Sequence, residues 1–360
     1  MMRILLVCCD YSLSGGSEKV ALKLYNELKQ YFDIKIISVY CQNGHSSFDD
    51  DNVEYLINRK GSFTKHFIIA TKRLSKAALE YKADIIISIG VSASFYVCMS
   101  GKLTHKKTVV CEHSNLSNKL YNDLVQIFSR RVAVNCCDKF ITLTEEDMNN
   151  YVNKFPRHKN KFDYIYNWID TDPSEDNYTY DIDSKRIITI SRIDRVKGFE
   201  YSLKAFEGIT DKFPDWKWEV YGEGDASYLT ELNEYIKDHE IHGFRFMGFC
   251  KNTDFVYDHS SIYCCSSIYE GLPLSLIEAK THKIPIISFD CKTGPKEIVV
   301  DNINGFLVKV GDVDSFAHKL STLMNDAELR RKMSDCSYIN IDKFNKNTII
   351  DKWKKLIIEL

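Results

Sequence analysis

Two carboxylates set eight positions apart, Glu270 and Glu278, flank the run Gly271-Leu272-Pro273-Leu274-Ser275-Leu276-Ile277. Glu270 follows a strand-like stretch, Ser261-Ile262-Tyr263-Cys264-Cys265, and Glu278 falls about two turns into the helix expected next. Main-chain N–H groups near Leu272 to Leu274 would then stand at a helix N-terminus, unpaired within the helix and able to hold a phosphate. One carboxylate beside a phosphate site and another further along fit a diphosphate lying between two hydroxyl-rich rings. A nucleotide-sugar has that layout. Glutamate pairs on helices are usually solvated, so the spacing does not decide the matter by itself.

A second element lies about eighty residues upstream: Ser191-Arg192-Ile193-Asp194-Arg195-Val196-Lys197-Gly198. It stands between an apolar strand candidate, Ile187-Ile188-Thr189-Ile190, and an amphipathic helix expected over Phe199 to Asp211. Arg192 and Lys197 thereby sit at the carboxyl end of a strand, where open α/β sheets place ligands. Arginine offers phosphate oxygens a fork and lysine a point charge. Taken singly, the octapeptide reads as a salt-bridged basic turn. Together the two motifs resemble family 4 of the glycosyltransferases. That resemblance implies an α/β chain of GT-B architecture, with two facing Rossmann-like domains, parallel sheets and an interdomain cleft.

Further landmarks extend the resemblance over nearly the whole chain. Gly15-Gly16-Ser17-Glu18 follows the first strand and opens a helix, as the family's glycine-rich loop does, and a residue without Cβ lets backbone approach a phosphate. Cys111-Glu112-His113-Ser114-Asn115 matches a Glu-His-Ser-Asn run in bacterial members that build surface polysaccharides. Tyr221-Gly222-Glu223-Gly224 resembles the family's Gly-x-Gly turn, with Asp225 where many relatives carry proline. Thr293-Gly294-Pro295-Lys296-Glu297-Ile298 and Asn304-Gly305-Phe306-Leu307-Val308 match later landmarks.

Composition narrows the classes. The 360 residues suit two domains, each able to bury a core. Residues 1–170 carry 23 basic and 18 acidic side chains, and the remainder 25 and 32. A mildly basic first half points weakly to an anionic surface as partner and not to nucleic acid. Twelve cysteines include three adjacent pairs, Cys8-Cys9, Cys136-Cys137 and Cys264-Cys265, and no C-x-x-C spacing for zinc. Several lie in apolar runs, which suits buried thiols in a reducing compartment. The opening run Ile4 to Cys9 is too short for a secretory core and reads as a strand, so the expected location is cytoplasmic.

Strands and helices alternate throughout. Strands are expected at Arg3 to Cys9, Asp33 to Tyr40, Asp84 to Ile89, Thr108 to Cys111, Lys139 to Thr142 and Tyr164 to Trp168, with helices beginning near Ser17, Thr64, Ser92, Ser117 and Thr144. The acidic stretch Asp170 to Ser184 reads as a linker. Beyond it, strands are expected at Arg186 to Ile190, Lys217 to Tyr221, Gly243 to Met247, Ile262 to Cys265, Ile284 to Phe289 and Phe306 to Val308. The resemblance implies an acceptor domain over 1–169, a donor domain over 185–344, and a last helix, 345–360, crossing back onto the first domain. The triplets Asp170-Thr171-Asp172, Asp181-Ile182-Asp183 and Asp312-Val313-Asp314 read as linker and helix-cap residues, not metal ligands.

The resemblance implies a retaining transferase that uses a nucleotide-activated sugar, UDP-linked in preference to GDP-linked, without cofactor or metal. Arg192, Lys197 and the main-chain N–H groups of Gly15, Gly16, Gly271, Leu272 and Leu274, in a donor-binding segment that includes Pro273, are then the groups that bind the donor diphosphate. By the same resemblance Glu270 contacts donor-sugar hydroxyls, Glu278 holds the ribose diol, and His113 lies beside donor sugar or acceptor. Galactose or an N-acetylhexosamine is the expected sugar, and a polyprenyl-diphosphate-linked saccharide of O-antigen or capsule synthesis the expected acceptor. A GDP-mannose-type transferase, a phosphorylase and an epimerase share this fold and stand as alternatives. A nicotinamide dehydrogenase fails for want of Gly-x-Gly-x-x-Gly after a strand. A periplasmic-type sugar-binding protein would have no use for Arg192 and Lys197.

The helix expected from Phe63 to Tyr81 adds a membrane expectation. Phe63, Phe67, Ala70, Leu74, Ala77 and Ala78 share one stripe. Lys65, Lys72 and Lys76 fall opposite, with Arg73 beside them and Ile69 projecting among the charges. A solvated charged face explains this equally. An outward isoleucine among lysines, with Lys102, His105, Lys106 and Lys107 nearby, suits docking on the anionic inner leaflet of the inner membrane.

Overall fold

The computed structural model describes residues 1–13, 16–42, 53–58, 63–116, 124–170 and 180–360. The chain divides into two compact units, Met1–Asn167 with Asn347–Leu360, and Trp168–Lys346.

In the first unit the order is β1 (Arg3–Asp10), α1 (Gly16–Leu28), β2 (Asp33–Tyr40), β3 (Val53–Ile57), α2 (Phe63–Glu80), β4 (Ile85–Ile89), α3 (Ser94–Thr104), β5 (Lys107–Cys111), α4 (Leu124–Cys136), β6 (Lys139–Thr142), α5 (Glu145–Lys154) and β7 (Phe162–Tyr164). All seven strands pair in parallel, in the order β3-β2-β1-β4-β5-β6-β7. Their near-continuous apolar runs follow from that pairing, because helices cover both faces of a parallel sheet and leave no solvent side for polar residues. Ile4, Leu5, Leu6, Val7, Ile85, Ile86 and Ile87 are all buried.

Two features depart from expectation here. The edge strand β3 lies outside the expected set, because Val-Glu-Tyr-Leu-Ile is too short and mixed to carry a strand signal. The strand expected over Tyr164 to Trp168 is displaced: β7 ends at Tyr164, and Ile165, Tyr166 and Trp168 are buried outside any strand. Their apolarity reports burial, not β pairing. The helix expected to begin near Ser92 is present: a 3₁₀ turn, Val91–Ala93, leads into α3 at Ser94. Ser117, expected to open a helix, lies outside the described residues.

The second unit runs β8 (Arg186–Ile190), α6 (Phe199–Glu207), β9 (Lys217–Tyr221), α7 (Ala226–Asp238), β10 (Phe244–Gly248), α8 (Thr253–Asp258), β11 (Ile262–Cys265), α9 (Leu274–Thr281), β12 (Ile286–Phe289), α10 (Pro295–Ile298), β13 (Gly305–Val308), α11 (Val313–Asn325) and α12 (Ala327–Asp335). Its parallel sheet has the order β10-β9-β8-β11-β12-β13, the 3-2-1-4-5-6 arrangement of a dinucleotide-type α/β fold. Trp218 anchors the core, edge-on to Phe206 at 5.9 Å and 5.1 Å from Phe244 between ring centroids. Such pairs add about 1 kcal/mol each beyond their area.

Residues 180–184 are tied to this unit: the Tyr180 hydroxyl donates to the Ser261 carbonyl, and Arg330 donates to the carbonyl of Ile182. The chain leaves and returns side by side, since Ile169 bridges Asn345 in parallel. The last helix, α13 (Lys346–Ile358), belongs to the first unit from Asn347 on, with Lys352 over the Tyr164 ring at 5.1 Å and Lys354 over Tyr31 at 4.4 Å.

Candidate active site

In the second unit strand order reverses between β8 and β11, which pair with each other in parallel. Open α/β sheets bind ligands in the crevice such a switch creates. The loop after β8 carries Arg192 and Lys197, and the loop after β11 carries Glu270. They meet: Lys197 Nζ donates to Glu270 Oε1 at 2.6 Å, although the residues are 73 apart in sequence. The side chains are only 20% and 11% exposed. Burial alone would lower the ammonium pKa, but the charge and hydrogen bond of Glu270 outweigh it and hold Lys197 above its ordinary value.

Local geometry fixes both partners. Asp194 caps a 3₁₀ turn, Arg195–Lys197, by accepting the Val196 N–H at 3.0 Å. Gly198 ends that turn at φ 61, and a Cβ there would lie 2.5 Å from the Ser266 carbonyl oxygen. Only glycine meets both demands. Ser266 Oγ donates to the Lys197 carbonyl at 2.8 Å, and the Ile268 N–H to that of Val196 at 2.8 Å, lacing the two loops together. Arg192 stays outside the pair: it is 63% exposed, 3.4 Å from Asp194, and close enough for its charge to act against that of Lys197.

A third loop braces Glu270 from behind. Thr293 Oγ1 donates to the Glu270 carbonyl at 2.7 Å, and Thr293 holds φ 67, a strained value for a β-branched residue. At Gly294, φ 91, a Cβ would stand 2.7 Å from Pro273 Cδ and 2.8 Å from the Gly271 oxygen. The turn 293–295 is therefore pressed against the segment that leads into α9. That helix begins after Pro273 with no side-chain cap, and the Leu276 N–H folds back on the Pro273 carbonyl at 3.1 Å. The first-turn amides, Leu274 and Ser275, thus lack a side-chain acceptor from the capping position. Pro273 has no N–H, so its part is to shape the turn. Gly271 and Leu274 are half-buried and Leu272 is buried. Glu278, half-buried on α9, accepts the Tyr257 hydroxyl at 2.8 Å.

Gly222 and Gly224 serve close backbone approach. A Cβ on either would stand 2.0 Å from the carbonyl oxygen of Ser191 or Ile193, and Ile193 bridges Gly224. Asp225, in the place where many relatives carry proline, caps α7 by accepting the N–H groups of Ser227 and Tyr228.

In the first unit, Gly16 opens α1 at the carboxyl end of β1, and nothing stands within 4 Å of a Cβ built there. Gly15 lies outside the described residues. His113 follows β5, half-buried; burial pushes its pKa down to about 4 although Glu112 pulls it upward, so it is a neutral imidazole near pH 7. The loop around it is built on Glu112, which accepts Arg130 Nε at 2.9 Å, the Tyr151 hydroxyl at 2.8 Å and the Ser114 hydroxyl at 2.7 Å. Burial raises the Glu112 carboxyl pKa, but Arg130 and these hydrogen bonds bring it below its usual value. Asp147 holds the Leu116 N–H at 3.1 Å and is pushed up to about 7 by burial and by Glu112.

The remaining expectations sort by local geometry. On α2, Lys65, Ile69, Lys72 and Lys76 are exposed, joined by Ile68 and Leu79. Arg73 turns aside to donate to the Leu56 carbonyl, and Lys76 lies 3.6 Å from Glu80. Phe67, assigned to the buried stripe, is 38% exposed and rests edge-on against Phe95, because its angle falls at the rim of that stripe. Asp181 closes a turn onto the N–H groups of Asp183 and Ser184, and Asp312 caps α11 through Ser315. Asp170 accepts Trp168 Nε1 at 3.2 Å, while Thr171 and Asp172 lie outside the described residues. Among the described residues no group of three or more His, Cys, Asp or Glu is placed to hold a metal ion. All twelve cysteines are free thiols.

Sequence reasoning did not find Thr293, Tyr257 or Arg130 as partners of the site. In the sequence the run around Thr293 carries only the family resemblance, and a lone tyrosine or arginine carries no signal of a contact that only folding creates.

Comparison with known proteins decides the family. Residues 172–338 match the model of glycosyl transferases group 1, and residues 14–173 that of glycosyltransferase family 4. An uncharacterized glycosyltransferase of Haemophilus influenzae is 30% identical over 96% of both chains. The chain belongs to glycosyltransferase family 4. This family 4 enzyme is also 26% identical, over 100% of its length and 99% of the relative's, to a Campylobacter jejuni alpha-1,4-N-acetyl-D-galactosaminyltransferase whose name gives a PP-undecaprenol-linked saccharide. The crystal structure of Anabaena HepE in complex with UDP superposes with a TM-score of 0.82 at 17% identity, covering 100% of each chain. That likeness establishes the GT-B fold for this glycosyltransferase. No helix among its described residues is long and apolar enough to cross a membrane.

Proposed function

We propose that this glycosyltransferase moves a hexose or N-acetylhexosamine, with retention of configuration, from a UDP-sugar to a polyprenyl-diphosphate-linked saccharide in surface polysaccharide synthesis. The observation that carries the reading is the Lys197–Glu270 pair at the strand-order switch, beside a helix N-terminus without a side-chain cap. Breaking the sugar–phosphate bond leaves positive charge on the sugar and negative charge on the departing diphosphate. Preorganised donors stabilise that leaving group most effectively. Lys197 and Arg192 supply full charges, and the Leu274 and Ser275 amides with Gly16 supply dipoles. Glu270, held by Lys197 and by Thr293 through its carbonyl, is presented to donor-sugar hydroxyls, and Glu278 to the ribose diol. His113 enters as a neutral hydrogen-bonding group toward sugar or acceptor. With the leaving group already met by cations, a divalent ion has no necessary place.

UDP is favoured by HepE, whose complex contains it, and the lipid-linked acceptor by the Campylobacter relative. The outward face of α2, with Lys65, Ile69, Lys72 and Lys76 joined by Ile68 and Leu79, is the surface we assign to the anionic inner leaflet. The deciding experiment measures release of UDP, GDP or dTDP from their sugars with and without a polyprenyl-diphosphate-linked saccharide, with NMR of the anomeric product. Acceptor-dependent release of UDP and an α product from an α-linked donor support the reading. A preference for GDP-mannose, or turnover without acceptor to free sugar phosphate, overturns it.

A further inference from the structure

We infer that Tyr257 is a positioning residue that fixes the Glu278 carboxylate for the nucleotide ribose. This rests on the ribose assignment to Glu278 made above.

The hydroxyl of Tyr257 donates to Glu278 Oε2 at 2.8 Å, and its second neighbour, the Ser275 carbonyl, is further off at 3.3 Å. The ring is fully buried and cannot swing away. It stacks on His282 with centroids 4.8 Å apart and planes at 24°, and on Tyr263 at 6.1 Å and 25°. His282 is fixed in turn: Nδ1 lies 2.9 Å from Asp258 Oδ1 and Nε2 3.5 Å from Asp254 Oδ1, both acids belonging to α8. Helix α8 thus grips α9 at two points, and one of them is the carboxylate that faces the ligand. Glu278 is a long side chain on a half-exposed helix face, where an unheld carboxylate would sample several rotamers.

A vicinal diol needs an acceptor in one orientation, since both hydroxyls must point at it together. With one acceptor position of Oε2 taken by the phenol, Oε1 makes no hydrogen bond among the described residues and is aimed by its partner oxygen. Loss of a neutral donor to a carboxylate lowers affinity about tenfold, and here the loss should fall only on ligands that have the diol. The contact is the same in the ground and transition states, so KM should rise and kcat stay put.

The test is calorimetric titration of the full chain with UDP and with 2′,3′-dideoxy-UDP, in wild type, Tyr257→Phe and Glu278→Gln. Wild type should prefer UDP strongly. Tyr257→Phe should bind UDP about tenfold more weakly, bind the dideoxy nucleotide within twofold of wild type, and raise donor KM with kcat unchanged. Adding Tyr257→Phe to Glu278→Gln should change UDP affinity little further, which keeps the proposal testable if the single variant loses melting temperature. Equal weakening of both nucleotides, or none, overturns the positioning role and makes Tyr257 a packing residue. A wild type that binds UDP but does not distinguish the two nucleotides overturns the ribose assignment, and the role of Tyr257 with it. A wild type that binds neither nucleotide overturns the UDP reading itself.

Discussion

Replacing Lys197 by methionine and Glu270 by leucine, singly and together, separates the chemistry of this pair from its contribution to stability. At 2.6 Å and an effective dielectric near 20, the two charges attract by about 6 kcal/mol. Taking each charge largely out of water costs several kcal/mol, so the net gain over a well-packed apolar pair is close to zero. Lys197→Met alone leaves a carboxylate without its ammonium and should cost about 3 kcal/mol in urea unfolding. The double variant Lys197→Met/Glu270→Leu should recover to within about 1 kcal/mol of wild type. Activity should not recover with it. On the proposed reading each single variant loses a group that meets charge or hydroxyls in the transition state, for an expected fall of about 10²–10³ in rate, and the double variant should be as inactive. Urea melts and initial rates of nucleotide release measure both quantities on the same preparations. A folded double variant that keeps more than about a tenth of wild-type activity would show the pair to be a structural brace, and the leaving-group argument would fall.

Gly294→Ala forces a Cβ onto φ 91 and to 2.7 Å from Pro273, so it should cut turnover far more than melting temperature by shifting the segment after Glu270; unchanged kinetics would refute that coupling. Lys280, buried on α9 and donating to the Ile298 and Ile339 carbonyls, has its pKa pushed down to about 7 by burial and then by Lys343. Its folded value lies below its unfolded one, so wild-type stability should climb relative to Lys280→Met from about pH 7 to 10 and run parallel below pH 7; a flat difference in melting temperature across that window counts against it. Activity should survive EDTA if, as proposed, Arg192, Lys197 and the α9 amides supply the positive potential; complete loss restored by magnesium or manganese would overturn that proposal. Anionic vesicles should co-sediment the protein at low salt and release it at high salt, with Lys65→Glu, Lys72→Glu and Lys76→Glu together abolishing binding; undiminished binding by that variant would clear α2 of the role.

Most of the fold was legible because parallel strands buried on both faces leave unmistakable apolar runs, as Ile4 to Val7 and Ile85 to Ile89 show. Errors gathered where apolarity and strand pairing part company, as in Ile165 to Trp168, whose buried side chains reside in irregular backbone. The candidate site was legible as two motifs: Arg192, Lys197 and Glu270 stand in the loops that follow the adjacent strands β8 and β11, and Glu278 on α9. What linear reading did not supply was the contact between them. Adjacency of the loops after β8 and β11 follows from a strand order that reverses at that point, and strand order is not written in any short motif. Once the order is known, a lysine and a glutamate 73 residues apart must share one crevice. The supporting residues depend even more heavily on topology. Thr293, Tyr257 and Arg130 come from other loops and helices, and each acts on a main-chain or carboxylate oxygen of a motif residue. Glycines mark the same dependence: Gly198, Gly222, Gly224 and Gly294 all sit where a Cβ would strike backbone or ring atoms of a neighbouring loop. In this chain Gly198, Gly222, Gly224 and Gly294 record how tightly the loops around the candidate site are pressed together.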